Sequence, residues 1–144
     1  MNMKKIIPFL FCVTSLFCKA QSSQSLDTIK APDVYDNIYV RKLYSDSLVS
    51  SFVIFIKNEV KAHKHVSHSE HVYILDGEGE MTVGDASTPL STSKKFKVKK
   101  GDVVFIPKGT IHSLKVMSPT AVKVLSVQAP MFDGKDRMMV EEKK

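Results

Sequence analysis

Hydrophobic and polar positions alternate over most of this chain, in short runs separated by turn residues. Asn37–Tyr44 has alternating and β-branched character and predicts a strand. Ser45-Asp46-Ser47 predicts the turn after it. Leu48–Lys57, with SFVIFIK inside it, predicts a strongly buried strand. Further strands are expected over Val60–His65, Glu70–Leu75, Gly79–Val83, Lys95–Lys99 and Asp102–Ile106. Asp76-Gly77 is the expected turn after the second of these, and the Ser- and Thr-rich stretch Gly84–Ser93, with Pro89 in it, is the expected loop. Ile111–Val116 and Ala121–Gln128 are expected to pair around Ser118-Pro119-Thr120. Many short strands and no helical period predict an all-β sandwich or barrel, with no repeat and no linker.

The ends differ from this middle. Lys4 and Lys5 precede an apolar run of 12 residues, Ile6–Phe17, too short to span a bilayer. Cys18-Lys19-Ala20 then places small residues for a cut before Gln21, so residues 1–20 read as a secretory signal peptide and the protein as secreted or periplasmic. Two alternatives stand beside this: a lipoprotein acylated at Cys18, against which Phe17 stands where a small residue is needed, and an uncleaved anchor. Residues 21–36 read as a loose arm with a turn at Ala31-Pro32-Asp33, residues 37–130 as the one folded domain, and residues 131–144 as a tail that can fold back through Met131 and Phe132.

Cleavage would remove both cysteines, Cys12 and Cys18, leaving a core without disulfides. Loss of Lys4, Lys5 and Lys19 would lower the net charge from +6 to +3, too mild a balance to argue for nucleic acid or, after cleavage, a membrane. Lys95, Lys97 and Lys99 alternate with Phe96 and Val98, which makes them one solvated face, to be paired with Glu78 and Glu80 across a strand. No serine-centred glycine elbow and no phosphate-cradling glycine loop is present.

The candidate chemistry lies in HKHVSHSEHVYILDG, His63 to Gly77. Residues two apart on a strand share a face, so His63 and His65 aim at one point, and Glu70 rejoins them if the chain bends between Ser67 and Ser69. Downstream, GDVVFIPKGTIH presents His112 after a turn at Pro107 and Gly109. Imidazoles and one carboxylate suit a divalent transition metal. His71, beside an inward Glu70, is expected to point outward. His68 falls in the bend and is expected as an exposed turn histidine, with extra ligation as the alternative. Val122, Val124, Ser126 and Gln128 share a face, so Gln128 is either a polar group at a pocket mouth or the cap of a strand end. Tyr73 and Phe132 read as packing residues, and Arg137 as a group that can reach back to an anionic substrate.

These two stretches resemble the paired motifs of the cupin superfamily, G-x5-H-x-H-x3–4-E-x6-G and G-x5-P-x-G-x2-H-x3-N. The resemblance spans about Val34 to Gln128, with Lys57 at the opening glycine of the first motif and Val116 at the closing asparagine of the second. It implies a single-domain cupin jelly-roll β-barrel with His63, His65, Glu70 and His112 around one divalent ion (Mn, Fe, Ni, Co or Zn). Pairing into a homodimer is a family habit. Because members include dioxygenases, decarboxylases, sugar isomerases and lyases, the resemblance leaves three functions open. These are a metal-dependent enzyme on a small oxygen-rich substrate (a sugar derivative, a hydroxy or keto acid, or an aromatic diol), a non-catalytic small-molecule binding or sensing module, and a metal-stabilised structural domain.

Overall fold

The computed structural model describes residues 23–85 and 92–140. The leader, both cysteines and most of the Ser/Thr-rich loop lie outside the described residues. Among the described residues, ten strands follow a short 3₁₀ turn, Leu26–Thr28. They are β1 (Ile38–Ser45), β2 (Ser50–Ile56), β3 (Glu59–Lys64), β4 (Ser69–Asp76), β5 (Glu78–Gly84), β6 (Lys94–Lys99), β7 (Val103–Ile106), β8 (Ile111–Val116), β9 (Val122–Ala129) and β10 (Met138–Met139). Two five-stranded antiparallel sheets result, ordered β1-β2-β9-β4-β7 and β10-β3-β8-β5-β6. They form a jelly roll of two sheets around a shared interior, not a barrel closed by continuous strand pairing.

Period-two burial builds that interior. Glu70, Val72 and Ile74 of β4 and Val122, Val124, Ser126 and Gln128 of β9 are buried, while their neighbours are partly or largely exposed. Ile56, Val72, Ile74, Met81, Val98, Val104, Ile106, Leu114, Val122 and Val124 make one hydrophobic cluster drawn from both sheets. On β6 the lysines face out. Glu78 and Glu80 of β5 stand opposite Lys99 and Lys97 of β6, as the charge pattern predicts.

One expected hairpin is absent. Ile111–Val116 pairs with β3 and β5, whereas Val122–Ala129 pairs with β2 and β4, so the turn at Ser118-Pro119-Thr120 carries the chain from one sheet to the other. Asp76-Gly77 does the same between β4 and β5. Both segments have the length and alternation of a hairpin, but each buries its apolar face against the opposite sheet, which a local pairing would not do. Gly77 takes φ +82, and a Cβ there would sit 3.0 Å from the Val122 Cα, so the tight crossing requires glycine.

The arm is tied down, contrary to the expectation of a loose segment. Lys123 Nζ donates to the carbonyls of Leu26 and Ile29 at 2.6 and 2.8 Å, and Ile29 is buried. Lys57, in place of the first motif's glycine, donates to the Tyr35 carbonyl at 2.6 Å and lies over the Tyr35 ring. The tail supplies β10, which pairs Met138 and Met139 with Lys64 and His63 on β3. The sequence pattern does not announce that strand, because two residues are too few to show alternation.

Candidate metal centre

A cavity of about 150 Å³ opens between the sheets. Most of its wall is hydrocarbon, including Ile38, Phe52, Ile54, Val72, Met81, Leu114 and Val124. Its polar lining comprises His63, His65, Glu70, His112, Ser113, Gln128 and Arg137.

Local backbone chemistry delivers each group. A register shift on β3 between Val60 and His63 resets the alternation, so that Val60 and His63, three positions apart, both line the cavity. His63 then lies opposite His112 of β8, with ring centroids 4.2 Å apart. The second motif's turn closes with Thr110 N–H donating to the Pro107 carbonyl at 3.1 Å, and Gly109 takes φ +80. Gly109 N–H donates to the His65 carbonyl, which ties the two motifs together. Val116, in place of the motif's asparagine, packs partly buried against the core.

The three imidazoles are oriented alike. His63 Nδ1 lies 2.8 Å from the Lys61 carbonyl, His112 Nδ1 lies 3.0 Å from the Thr110 carbonyl, and His65 Nδ1 meets the Asp136 carbonyl. A carbonyl only accepts, so each ring carries its proton on Nδ1 and leaves a lone pair on Nε2. His112 Nε2 is buried without a hydrogen-bond partner. Ligand atoms of His63, His65 and His112 all lie within 4.8 Å of one another. Glu70 Oε2 stands 3.5 Å from His112 Nε2 and 3.8 Å from His65 Nε2. Ligands about 2.0–2.1 Å from a shared ion stand roughly 3–3.5 Å apart, so these donors fit one cation after small inward shifts.

Glu70 is held from behind. Ser126 Oγ donates to Glu70 Oε1 at 2.5 Å and Gln128 Nε2 at 3.3 Å, while Gln128 Nε2 also lies 3.1 Å from Ser126 Oγ. Register explains this, since Glu70 faces Gln128 and Val72 faces Ser126 across β4 and β9. Burial alone would raise the Glu70 carboxyl, but His112 and the Ser126 hydroxyl outweigh it and hold the pKa at about 2. Burial, then the charges of His112 and Arg137, push the His63 imidazolium down to about 3. His65 is lowered as well, chiefly by burial. At neutral pH His63 and His65 are therefore neutral and Glu70 is an anion, the states a cation needs of them.

Several groups stand differently from their sequence-based expectations. His68 is not an exposed turn histidine: it is 1% exposed, with its ring 4.1 Å from that of His65 and its edge against Phe132. His68 Nδ1 lies 2.9 Å from Asp136 Oδ2. Asp136, which carries no local signal in the sequence, accepts from the main-chain N–H groups of Val66 and Ser67, both at 2.8 Å, and from the Ser67 hydroxyl. The folded-back tail thus closes over the bend and shields His68. Phe132 packs against Phe52, His65 and His68 and also lines the cavity. His71 is exposed, stacked near Phe105, as its phase predicts.

Two outcomes follow from this geometry. Purified protein is expected to carry about one divalent transition metal per chain, as one ligand constellation dictates. His65→Ala or His112→Ala should remove most of it and Glu70→Gln should weaken retention, as read by elemental analysis; full occupancy in both alanine variants would refute the assignment. The metal-free fold should also be acid-sensitive. Below its ordinary pKa of 6.5, His63 takes up a proton in the unfolded chain but not in the fold until about pH 3. Stability is therefore complete above pH 6.5 and declines as pH falls toward 3. Urea midpoints in chelator should drop between pH 7.5 and pH 5, and less so for His63→Gln.

Comparison with known proteins agrees with this architecture. Residues 52–128 match the family model described as "Cupin domain". An uncharacterized protein of Aquifex aeolicus (strain VF5) is 35% identical over 106 residues, covering 74% of this chain and 80% of that one. Among solved structures, KdgF from Halomonas sp. aligns with a TM-score of 0.64 at 17% identity over 79% of this chain and 97% of its own. An oxalate decarboxylase variant of Bacillus subtilis aligns with a TM-score of 0.63 at 18% identity, over 74% of this chain but 29% of its own. The family-model match over residues 52–128, the stretch that carries both motifs and their facing strands, places this chain in the cupin family.

Proposed function

We propose that this protein is an exported, metal-dependent enzyme that acts on a small molecule bearing oxygens at one end and hydrocarbon at the other. The observation that carries the reading is the division of the cavity, with convergent imidazoles at one place and aliphatic side chains over most of the remaining wall. Of the substrate classes that the family admits, a sugar suits this wall poorly, since each hydroxyl buried there without a partner costs about 1–3 kcal/mol. A keto or hydroxy acid with an apolar body, or an aromatic diol, suits it better.

His63, His65 and His112 would hold the ion, with Glu70 as the only anionic donor. A divalent ion bound there supplies Lewis-acid stabilisation of negative charge on a substrate oxygen. The protein's own groups orient the substrate. Glu70 stays ionised, and its Oε1 is already taken by Ser126 and Gln128, so it serves as a fixed negative charge and not as a proton carrier. Gln128 Oε1 is buried and without a hydrogen-bond partner, so it is free to accept from a substrate hydroxyl. The apolar wall lowers the local dielectric and strengthens each of these polar interactions.

Protein loaded separately with Fe, Mn, Ni, Co or Zn and screened against keto acids, hydroxy acids, catechols and sugar acids, with and without oxygen, should convert a compact apolar-bodied compound. Gln128→Leu should lower turnover about tenfold while metal content holds, matching one lost hydrogen bond. Thermal stabilisation by ligands with no product under any metal would instead favour the binding module. Export rests on the basic start, the short apolar run and the small residues before Gln21. Intact mass of native protein should place the mature N-terminus at Gln21; a mass beginning at Met1, or an acylated Cys18, would contradict it.

A further inference from the structure

Arg137 is the only lysine or arginine among the described residues that line the cavity. Among the described residues its guanidinium makes no hydrogen bond or ion pair. It is nonetheless held in place by its neighbours in the chain. Asp136 clamps the Val66–Ser67 bend and takes the His65 Nδ1 proton on its carbonyl, while Met138 pairs with Lys64. Arg137 therefore sits between two anchors at the edge of the site, exposed to solvent but with one side lining the cavity. Its charge is near enough to His63 to help depress that imidazolium.

Glu70 acts on this cation by its charge but makes no ion pair with it. Its Oε1 accepts from Ser126 and Gln128, and its Oε2 faces His65 and His112. Within the cavity lining, Glu70 would offset one of a divalent ion's two charges and Arg137 would add one back, while the Asp136 carboxylate is spent outside that lining on the Val66–Ser67 bend and His68. The site is left electropositive around an unoccupied guanidinium fork, the geometry that recognises a carboxylate. Resting on the reading above, we propose that Arg137 is the specificity-determining residue of this site and that the cavity takes a compact monocarboxylate, its carboxylate on Arg137 beside the metal and its hydrocarbon body against the aliphatic wall.

The test uses the zinc-loaded full chain, with benzoate and its neutral isostere benzamide as probes, read by titration calorimetry alongside zinc content. Benzoate should bind at least about tenfold more tightly than benzamide, in keeping with a charge-assisted hydrogen-bond pair. Arg137→Gln should erase that preference with zinc content unchanged, and Arg137→Lys should keep part of it, which a merely structural role for the side chain would not reproduce. Equal benzoate affinity in the wild-type and Arg137→Gln proteins, or no benzoate binding to either, overturns the proposal while leaving the metal reading intact. Retention of the benzoate preference in a zinc-free His112→Ala protein would support Arg137 and place the failure in the metal reading.

Discussion

Three imidazoles can share one small cavity only if all three are neutral and all present the same nitrogen. Burial favours the neutral ring at His63 and His65, and main-chain carbonyls meet the second condition, since each accepts an Nδ1 proton and so fixes ring orientation and tautomer together. Two of those carbonyls lie two residues upstream of the histidine they hold, so β3 and β8 each position a ligand by their own local backbone. The third belongs to Asp136, far along the chain. His65 is thus the ligand whose orientation depends on the tail, and through it the centre depends on how the chain ends.

Much of this was legible beforehand. Period-two alternation located β1 to β9 to within a few residues, and the spacing of His63, His65, Glu70 and His112 brought together residues that the fold does gather. Alternation also placed Ser126 and Gln128 on the buried face, though it assigned Ser126 no role. What alternation cannot express is which sheet a strand joins. The segments flanking Gly77 and Pro119 look like hairpin arms because turn residues separate them, and only the need to cover two faces of one core sends their second strands to the other sheet. The register shift on β3 was hidden for a similar reason. A simple two-residue period groups Lys61 with His63 and His65, whereas the extra residue turns Lys61 to solvent and Val60 inward.

The tail was the least legible part, and the physics says why. Residues 131–140 show no period, because their contacts are single-residue insertions and not a repeating face. Phe132 enters as an edge-on ring, Asp136 as an acceptor for two main-chain N–H groups, and Arg137 as an isolated cation. Burial alone would raise the Asp136 carboxyl, but the hydroxyl and N–H of Ser67 and the N–H of Val66 hold it well below the usual range, so it remains an anion beside His68. Such contacts depend on a partner tens of residues away, and no local pattern encodes that partner.

Dependence on the tail also divides the molecule's work. The two sheets supply the hydrocarbon wall and three of the four candidate donor orientations, which makes that part of the site as rigid as the core that carries it. The segment from Phe132 to Met139 supplies the remaining orientation, the cover over His68 and, among the described residues, the only arginine lining the cavity. Substitutions in the sheets would therefore act first on whether an ion is held, because they move donors whose separations must suit one cation. Substitutions in the tail would reach the centre by two routes, through the Asp136 carbonyl that orients His65 and through the wall that Phe132 and Arg137 help to form.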